Sequence, residues 1–227
     1  MNTIPYHTPV SNTPDLVVTA LRNAILQGRY KTGQPLRQDR VAKDLGVSKI
    51  PLREALVELR AEGLVTLLPK RGAVVSELSA AQAKEIYTMR SALETAALEQ
   101  AVPLLGNAEI IRARSVLEIM ETGADKHQWG ELNWEFHATL YQAARMPMML
   151  KTIHQLHNNV TRYLLLYLDR LSAWQRSREE HRALLNACRD KNTSQAVAIL
   201  KTHLAKASDT LAAYLSNTDV GKDTPAS

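Results

Sequence analysis

With 227 residues, 45% hydrophobic and 22% charged, the chain has the composition of a soluble globular protein and can bury one large core or two ordinary ones. A single cysteine, Cys188, excludes an internal disulfide and any cysteine-based zinc motif, and no apolar run nears the roughly 18–20 residues of a membrane span, so a cytoplasmic protein is expected. The net charge of +5 is uneven: residues 1–77 hold 11 Lys and Arg against 7 Asp and Glu, and residues 78–227 hold 17 against 16, as expected if the first third meets a polyanion.

Residues 1–12 contain Pro5 and Pro9, little periodicity and no Lys or Arg, so they read as a flexible arm and not as a secretory signal. Thr13-Pro14-Asp15 opens a helix with a cap candidate, a first-turn proline and an acid near the positive dipole end. Its apolar face is read as Leu16, Ala20, Leu21, Ala24 and Ile25, with Gly28 as the stop. Thr32 to Pro35 is a turn. A short helix over 38–45 follows, with Val41, Ala42 and Leu45 inward. Gly46-Val47 is a tight connection, and Ser48 is a cap for the next helix, which runs to about Glu62. In that helix Leu52, Ala55, Leu56 and Leu59 recur at helical spacing, and Pro51 is tolerable because first-turn N–H groups have no intrahelical acceptor. Val65–Leu68 and Ala73–Val75 then read as the strands of a hairpin around Pro69 to Gly72.

From Ser79, which forms a capping box with Gln82, the texture changes to long helices near 80–102, 107–122, 128–145, 147–169, 174–190 and 193–216. Asn107 and Asn192 are candidate caps and Gly123 a stop. The expected organisation is an arm (1–12), a small helical domain with a hairpin (13–77), an all-helical domain (78–216) and a disordered polar tail (217–227). One Phe against many Leu and Ala favours packed helices over sheets, so the fold class is mostly α.

The short helix, Gly-containing turn and second amphipathic helix form a helix-turn-helix pattern. Gly46 supplies backbone angles and close approach that a side chain would resist. Lys49 and Arg53, four apart, project together from the amino end of the second helix while its leucines point to the core. That arrangement suits a recognition helix in a major groove. Lys70 and Arg71 at the hairpin tip suit a basic wing against minor groove or backbone.

The stretches Leu21 to Gly28, Gly33 to Leu36, Ala42 to Leu56, Glu62 to Val65 and Lys70 to Gly72 resemble the GntR family over nearly all of 13–77. The resemblance implies a winged helix-turn-helix that binds a short palindromic operator in double-stranded DNA as a homodimer. It places Arg40, Ser48, Lys49, Ile50, Pro51, Arg53 and Gly72 where relatives contact DNA. Lys49 stands where arginine is usual. Leu78-Ser79, Tyr87 to Arg90 and Leu93-Glu94 look like the start of the FadR-type C-terminal effector domain, in its six-helix form. Family habit favours repression.

In that helical region His137 shares a stripe with Asn133, Leu140, Tyr141 and Ala144. His181 aligns with Leu184, Leu185 and Cys188, and His203 with Ala196, Ile199, Leu200 and Leu204. One inward histidine is commonly a satisfied core residue; three on three helices point towards a divalent transition metal. The resemblance implies the same set. Asn133 to His137 resembles an acid-x-x-Phe-His motif, with His181 and His203 as the later ligands, and relatives hold zinc, nickel or manganese there. Asn133 stands where aspartate is common. His157 lies on an inward stripe with Leu150, Ile153, Val160 and Leu164 and could line a pocket, whereas His7, His127 and His154 read as exposed.

Arg90 is in register with Ala83, Ile86, Tyr87 and Ala97, hence inward. It either pairs with Glu94 at i+4 or, with Tyr87 and His157, receives a small carboxylic-acid effector. Two rival functions remain: an effector-independent dimeric DNA-binding protein, and a histidine-metal hydrolase. Against the hydrolase, Glu135 lies about 200° around the helix from His137, badly placed as a base.

Overall fold

The computed structural model describes residues 14–69, 72–122, 126–168 and 173–219. The arm, Thr13, the wing tip at Lys70 and Arg71, the stop at Gly123 and the residues after 219 therefore lie outside the described residues. The chain divides into two compact units, Met1–Glu77 and Leu78–Ser227.

In the first unit α1 (Pro14–Leu26), α2 (Gln38–Leu45) and α3 (Lys49–Ala61) pack on a small antiparallel sheet of β1 (Pro35–Leu36), β2 (Val65–Leu68) and β3 (Gly72–Val75), in the order β1-β3-β2. The hairpin register pairs Val65 with Val75 and Leu68 with Gly72. β1 was read as part of a turn; instead Pro35 and Leu36 pair with Val74 and Ala73. Two residues carry no period, and Pro35 lacks an N–H, which only an edge position tolerates. Gly33 N–H to Val75 and Val75 N–H to Gln34 complete the ladder.

The α1 face also differs. Val17, Val18, Leu21, Ala24 and Ile25 are buried, whereas Leu16 is 46% exposed and Ala20 half-buried, so Val17 and Val18 take the places read for those two. On α3 the expected Leu52, Ala55, Leu56 and Leu59 are all buried. Burying four such side chains supplies several kcal/mol, at roughly 1.5–3 kcal/mol for each large one. Arg22 of α1 donates twice to the Glu62 carboxylate at 2.8 and 2.5 Å, tying the two helices at their polar edge.

The second unit is helical: α4 (Ala80–Ala101), α5 (Asn107–Thr122), α6 (Lys126–Tyr141), α7 (Pro147–Leu168), α8 (Ala173–Arg189) and α9 (Thr193–Asp219). The Ser79–Gln82 capping box is present at the start of α4. Asn192 caps α9, its side-chain oxygen accepting the Gln195 N–H at 3.1 Å. Asn107 is not a cap: it lies inside α5, and the Glu109 carboxylate takes the Gly106 N–H at 2.9 Å. α6 closes earlier than expected, in a tight turn over 142–144 with Arg145 at φ 56°. α9 continues past Ser216 to Asp219, since no glycine or proline intervenes before Gly221.

α4 packs most extensively against α9, and α6 and α7 also pack against α4. The one phenylalanine, Phe136, is fully buried near the centre, with Leu98, Leu140, Tyr141, Ile153, Leu184 and Leu200. Gly130 lets α6 approach α7: a β-carbon there would fall 2.4 Å from the Thr161 Cγ2 methyl.

Candidate functional site

α2 ends at Gly46, whose left-handed φ of 68° reverses the chain, and its N–H closes the helix on Ala42 and Lys43 carbonyls. A β-carbon at Gly46 meets nothing within 4 Å, so glycine is needed for the backbone angle alone and not for close packing. Ser48 occupies the N-cap position of α3 in extended conformation, but its hydroxyl makes no capping bond. With that oxygen unused by the helix, Ser48 stays exposed.

Opposite the buried leucines, α3 presents Lys49, Ile50 and Arg53 outward; Ile50 is 71% exposed. Pro51 is buried, so it shapes the helix start without showing a side chain. Lys49 is ion-paired with Asp39, and Arg53 Nε donates to Gln38 at 3.1 Å. Arg40 is exposed and 3.8 Å from Asp44. An open cleft of about 430 Å³ is lined by Arg37, Gln38, Lys49 and Arg53 with Gly72 and Ala73 of β3. Gly72 adopts φ 83° at its edge. Arg37, which the sequence reading passed over, sits just before α2 and adds a third cation to this cleft; its nearness to Arg40 in the chain was the available signal.

In the second unit α6 supplies Asn133, His137 and Tyr141 on one face at successive i+4 steps, α8 supplies Glu180 and His181, and α9 supplies His203. The ligating atoms of His137, His181 and His203 lie within 4.8 Å of one another. The Nε2 atoms of His137 and His181 are 3.2 Å apart. His137 and His181 are almost fully buried, as is Asn133.

Burial lowers the pKa of His137 well below the ordinary value, and the neighbouring imidazoles and Arg90 lower it further. His181 is lowered in the same direction, by burial and then by His203. Both are therefore neutral at physiological pH, the form that can ligate. His203 Nδ1 is 2.8 Å from Glu180 Oε2, and Lys206 donates to the other oxygen at 2.7 Å. Partial burial opposes the Glu180 charge, but those two partners outweigh it and bring its pKa to about 2.

The donor set fits a divalent transition ion. A tetrahedral ion with nitrogens at about 2.0–2.1 Å holds them roughly 3.3 Å apart, close to the His137–His181 spacing. Asn133 Oδ1, one turn from His137, and His181 Nδ1 are buried with no hydrogen-bond partner. Three clustered imidazoles are donors of the kind that hold a divalent transition metal.

Around the cluster, Arg90 is 4% exposed and its Nε donates to Glu94 at 2.6 Å, so the i+4 pair forms. Burial disfavours the Arg90 charge, yet Glu94, with Tyr87 and Tyr141, holds the guanidinium pKa above its ordinary value. Arg90 also lies 5.0 Å from the Tyr87 ring centroid. His157 is buried, with Nε2 3.3 Å from the Gly130 carbonyl oxygen, and is not one of the three clustered histidines. Its pKa is lowered by burial and then by Arg90. His154, read as exposed, is half-buried and stacks on Trp134 at 4.4 Å. Glu135 is bound to Arg112 at 3.0 Å and is 41% exposed at its side chain, engaged away from the histidines. No base for hydrolysis comes from it.

A helix-turn-helix with an outward basic edge, in one chain with a bundle that gathers buried ligands, defines a DNA-binding regulator. Residues 14–75 match the bacterial regulatory proteins of the gntR family, and residues 85–206 match the FCD domain. The chain belongs to the GntR family of transcriptional regulators, with an FCD domain at its C-terminal side. It is similar to the HTH-type transcriptional repressor RspR of Escherichia coli K12, at 24% identity over 206 residues, 89% of this chain and 90% of that one. Among solved structures, E. coli McbR/YncC superposes with a TM-score of 0.77 at 25% identity, covering 87% of this chain and 96% of that one. A GntR-family regulator from Pseudomonas syringae pv. tomato DC3000 matches at 31% identity and a TM-score of 0.57, covering 92% and 88%. These relatives are transcriptional regulators and not enzymes. Among the described residues no helix is long and apolar enough to cross a membrane.

Proposed function

We propose that this regulator is a cytoplasmic homodimeric repressor, released from or retuned on a short palindromic operator by a small carboxylic acid bound beside a metal in the helical unit. One observation carries the reading: the ligating atoms of three imidazoles from three helices, two of them buried and neutral, lie within 4.8 Å of one another, and one turn from His137 the buried Asn133 oxygen has no partner. Asn133, His137, His181 and His203 would hold the ion, which when bound supplies an electrophilic centre for an anionic ligand. Arg90 provides the second positive group. Its Nε–H is used by Glu94, so an acid would meet the guanidinium through its amino groups. Tyr87 and His157 would contact the same acid.

On the DNA side Arg53 and Lys49 reach base edges, Ile50 offers an apolar contact to a thymine methyl, and Arg40, Ser48 and Gly72 meet the backbone. Pro51 sets the start of the helix. Lys70 and Arg71, outside the described residues, would extend the basic surface. Two copies are required because one recognition helix reads too few base pairs for useful selectivity. RspR is named a repressor, which supports that sign of regulation here.

The test is fluorescence anisotropy with duplex fragments flanking the chain's own coding sequence, at several salt concentrations. It is run with chelator or with zinc, nickel or manganese, and with a panel of short carboxylic acids. Salt-sensitive, sequence-selective binding that one acid weakens only in the presence of metal supports the reading. Equal binding to scrambled duplexes, or acid response that ignores the metal, overturns it.

A further inference from the structure

The hydrogens of four buried groups follow from heavy-atom positions once Arg90 is charged and His137 is a neutral imidazole. Arg90 Nε donates to Glu94 Oε1 at 2.6 Å in a buried ion pair, in which the Glu94 carboxylate is the acceptor. Tyr141 Oη lies 2.8 Å from the other Glu94 oxygen and 3.1 Å from His137 Nδ1. The phenol has one hydrogen. Were it given to His137, the Glu94 and Tyr141 oxygens would face each other at 2.8 Å with none between them, in a buried site. The hydrogen therefore goes to Glu94, and the contact with His137 is a bond only if Nδ1 carries the hydrogen. A neutral imidazole has one N–H, so Nε2 is left bare, and Nε2 is the atom 3.2 Å from His181.

We propose that Glu94 and Tyr141 are positioning residues that lock His137 in its Nδ1–H tautomer and so present Nε2 to the metal. The inference deepens the metal reading above and rests on it for its binding consequence, though not for the tautomer. A parallel arrangement serves His203, whose Nδ1 lies 2.8 Å from Glu180. Two of the three imidazoles are thus oriented by carboxylates, one directly and one through a phenol, whereas His181 Nδ1 has no such partner. Outer groups of this kind fix ring orientation and raise ligand basicity. The arrangement also gives a function to an ion pair that would otherwise be only structural: Arg90 holds the Glu94 carboxylate in place.

Tyr141→Phe removes the hydroxyl and keeps the ring. Long-range proton–nitrogen NMR on metal-free, full-length protein should show His137 as the Nδ1–H tautomer, and as Nε2–H or a mixture in the variant. Chelator competition with zinc or nickel should show affinity about ten- to a hundredfold weaker in Tyr141→Phe. An Nε2–H tautomer in the unsubstituted protein overturns the proposal, as does a folded variant whose affinity is unchanged. If Tyr141→Phe does not fold, the tautomer in the unsubstituted protein decides. An Nδ1–H His137 in a protein that takes up no metal sinks the metal reading while supporting the lock.

Discussion

Asn133→Asp should have opposite effects with and without metal. The side chain is 4% exposed and its Oδ1 has no hydrogen-bond donor, so a carboxylate there begins with nothing to hold its charge. An ordinary aspartate titrates near about 3.9, and each unit of elevation costs about 1.4 kcal/mol above that pH. If the buried acid stays neutral at about pH 7.5, the elevation is at least about 3.6 units and the cost about 5 kcal/mol. Ionising by pairing with a protonated neighbouring imidazole would lower that cost. In chelator the variant should therefore lose up to about 5 kcal/mol of unfolding free energy. With an ion bound, the same carboxylate becomes the better ligand. Saturating metal then stabilises by about 2.7 kcal/mol for each hundredfold excess over Kd, and Kd should be lower for the acid than for the amide. Urea unfolding of both proteins in chelator and in zinc, nickel or manganese measures all four states. A variant as stable as the parent in chelator, with metal raising both equally, would refute the reasoning.

Three further outcomes are expected. Arg53→Ala should weaken binding to the preferred duplex by about 1–3 kcal/mol and blunt selectivity, whereas Arg40→Ala should weaken all duplexes alike and flatten the salt dependence; anisotropy titrations distinguish the two. Gly130→Ala should gain about 1 kcal/mol of helix propensity and lose more to its overlap with the Thr161 methyl, a net loss of about 1–2 kcal/mol. Adding Thr161→Ser, which deletes that methyl and keeps the hydroxyl bond to the His157 carbonyl, should recover the loss in urea melts. Finally, His137, His157 and His181 have lowered pKa values, so below about pH 6.5 the unfolded chain binds protons that the folded one refuses. Stability in chelator should fall as pH falls through that range, with a limiting slope of about 4 kcal/mol per pH unit for three sites. Glu180, at about 2, stays charged across this window and adds no slope. A urea midpoint flat from pH 7.5 to about 5.5 would contradict the burial of neutral imidazoles.

Where a side chain repeats with its neighbours at helical spacing, the sequence was enough. Leu52, Ala55, Leu56 and Leu59 announce the buried face of α3 and thereby its basic outward face. The stripe Asn133–His137–Tyr141 likewise announces an inward polar line on α6, and the inward faces of His181 and His203 could be read the same way. That the three meet is a tertiary fact, and periodicity gives only the faces. β1 was missed because two residues have no period. Ser48 was read as a cap from residue type, yet the hydroxyl can rotate away and still leave the helix intact. Gly46 showed the need for a left-handed angle, but whether a β-carbon has room depends on neighbours that no local pattern contains. The Arg90–Glu94 pair was visible at i+4. Its continuation through Tyr141 to His137 was not, since it joins residues 47 apart in the chain.

The most direct test is anomalous diffraction from crystals grown with nickel or zinc and measured on both sides of the metal's absorption edge. A difference peak among His137, His181 and His203, within bonding distance of Asn133 Oδ1, is the predicted result. Well-ordered imidazoles with no edge-dependent peak at saturating metal, and His181 still hydrogen-bonded to His137, would contradict it.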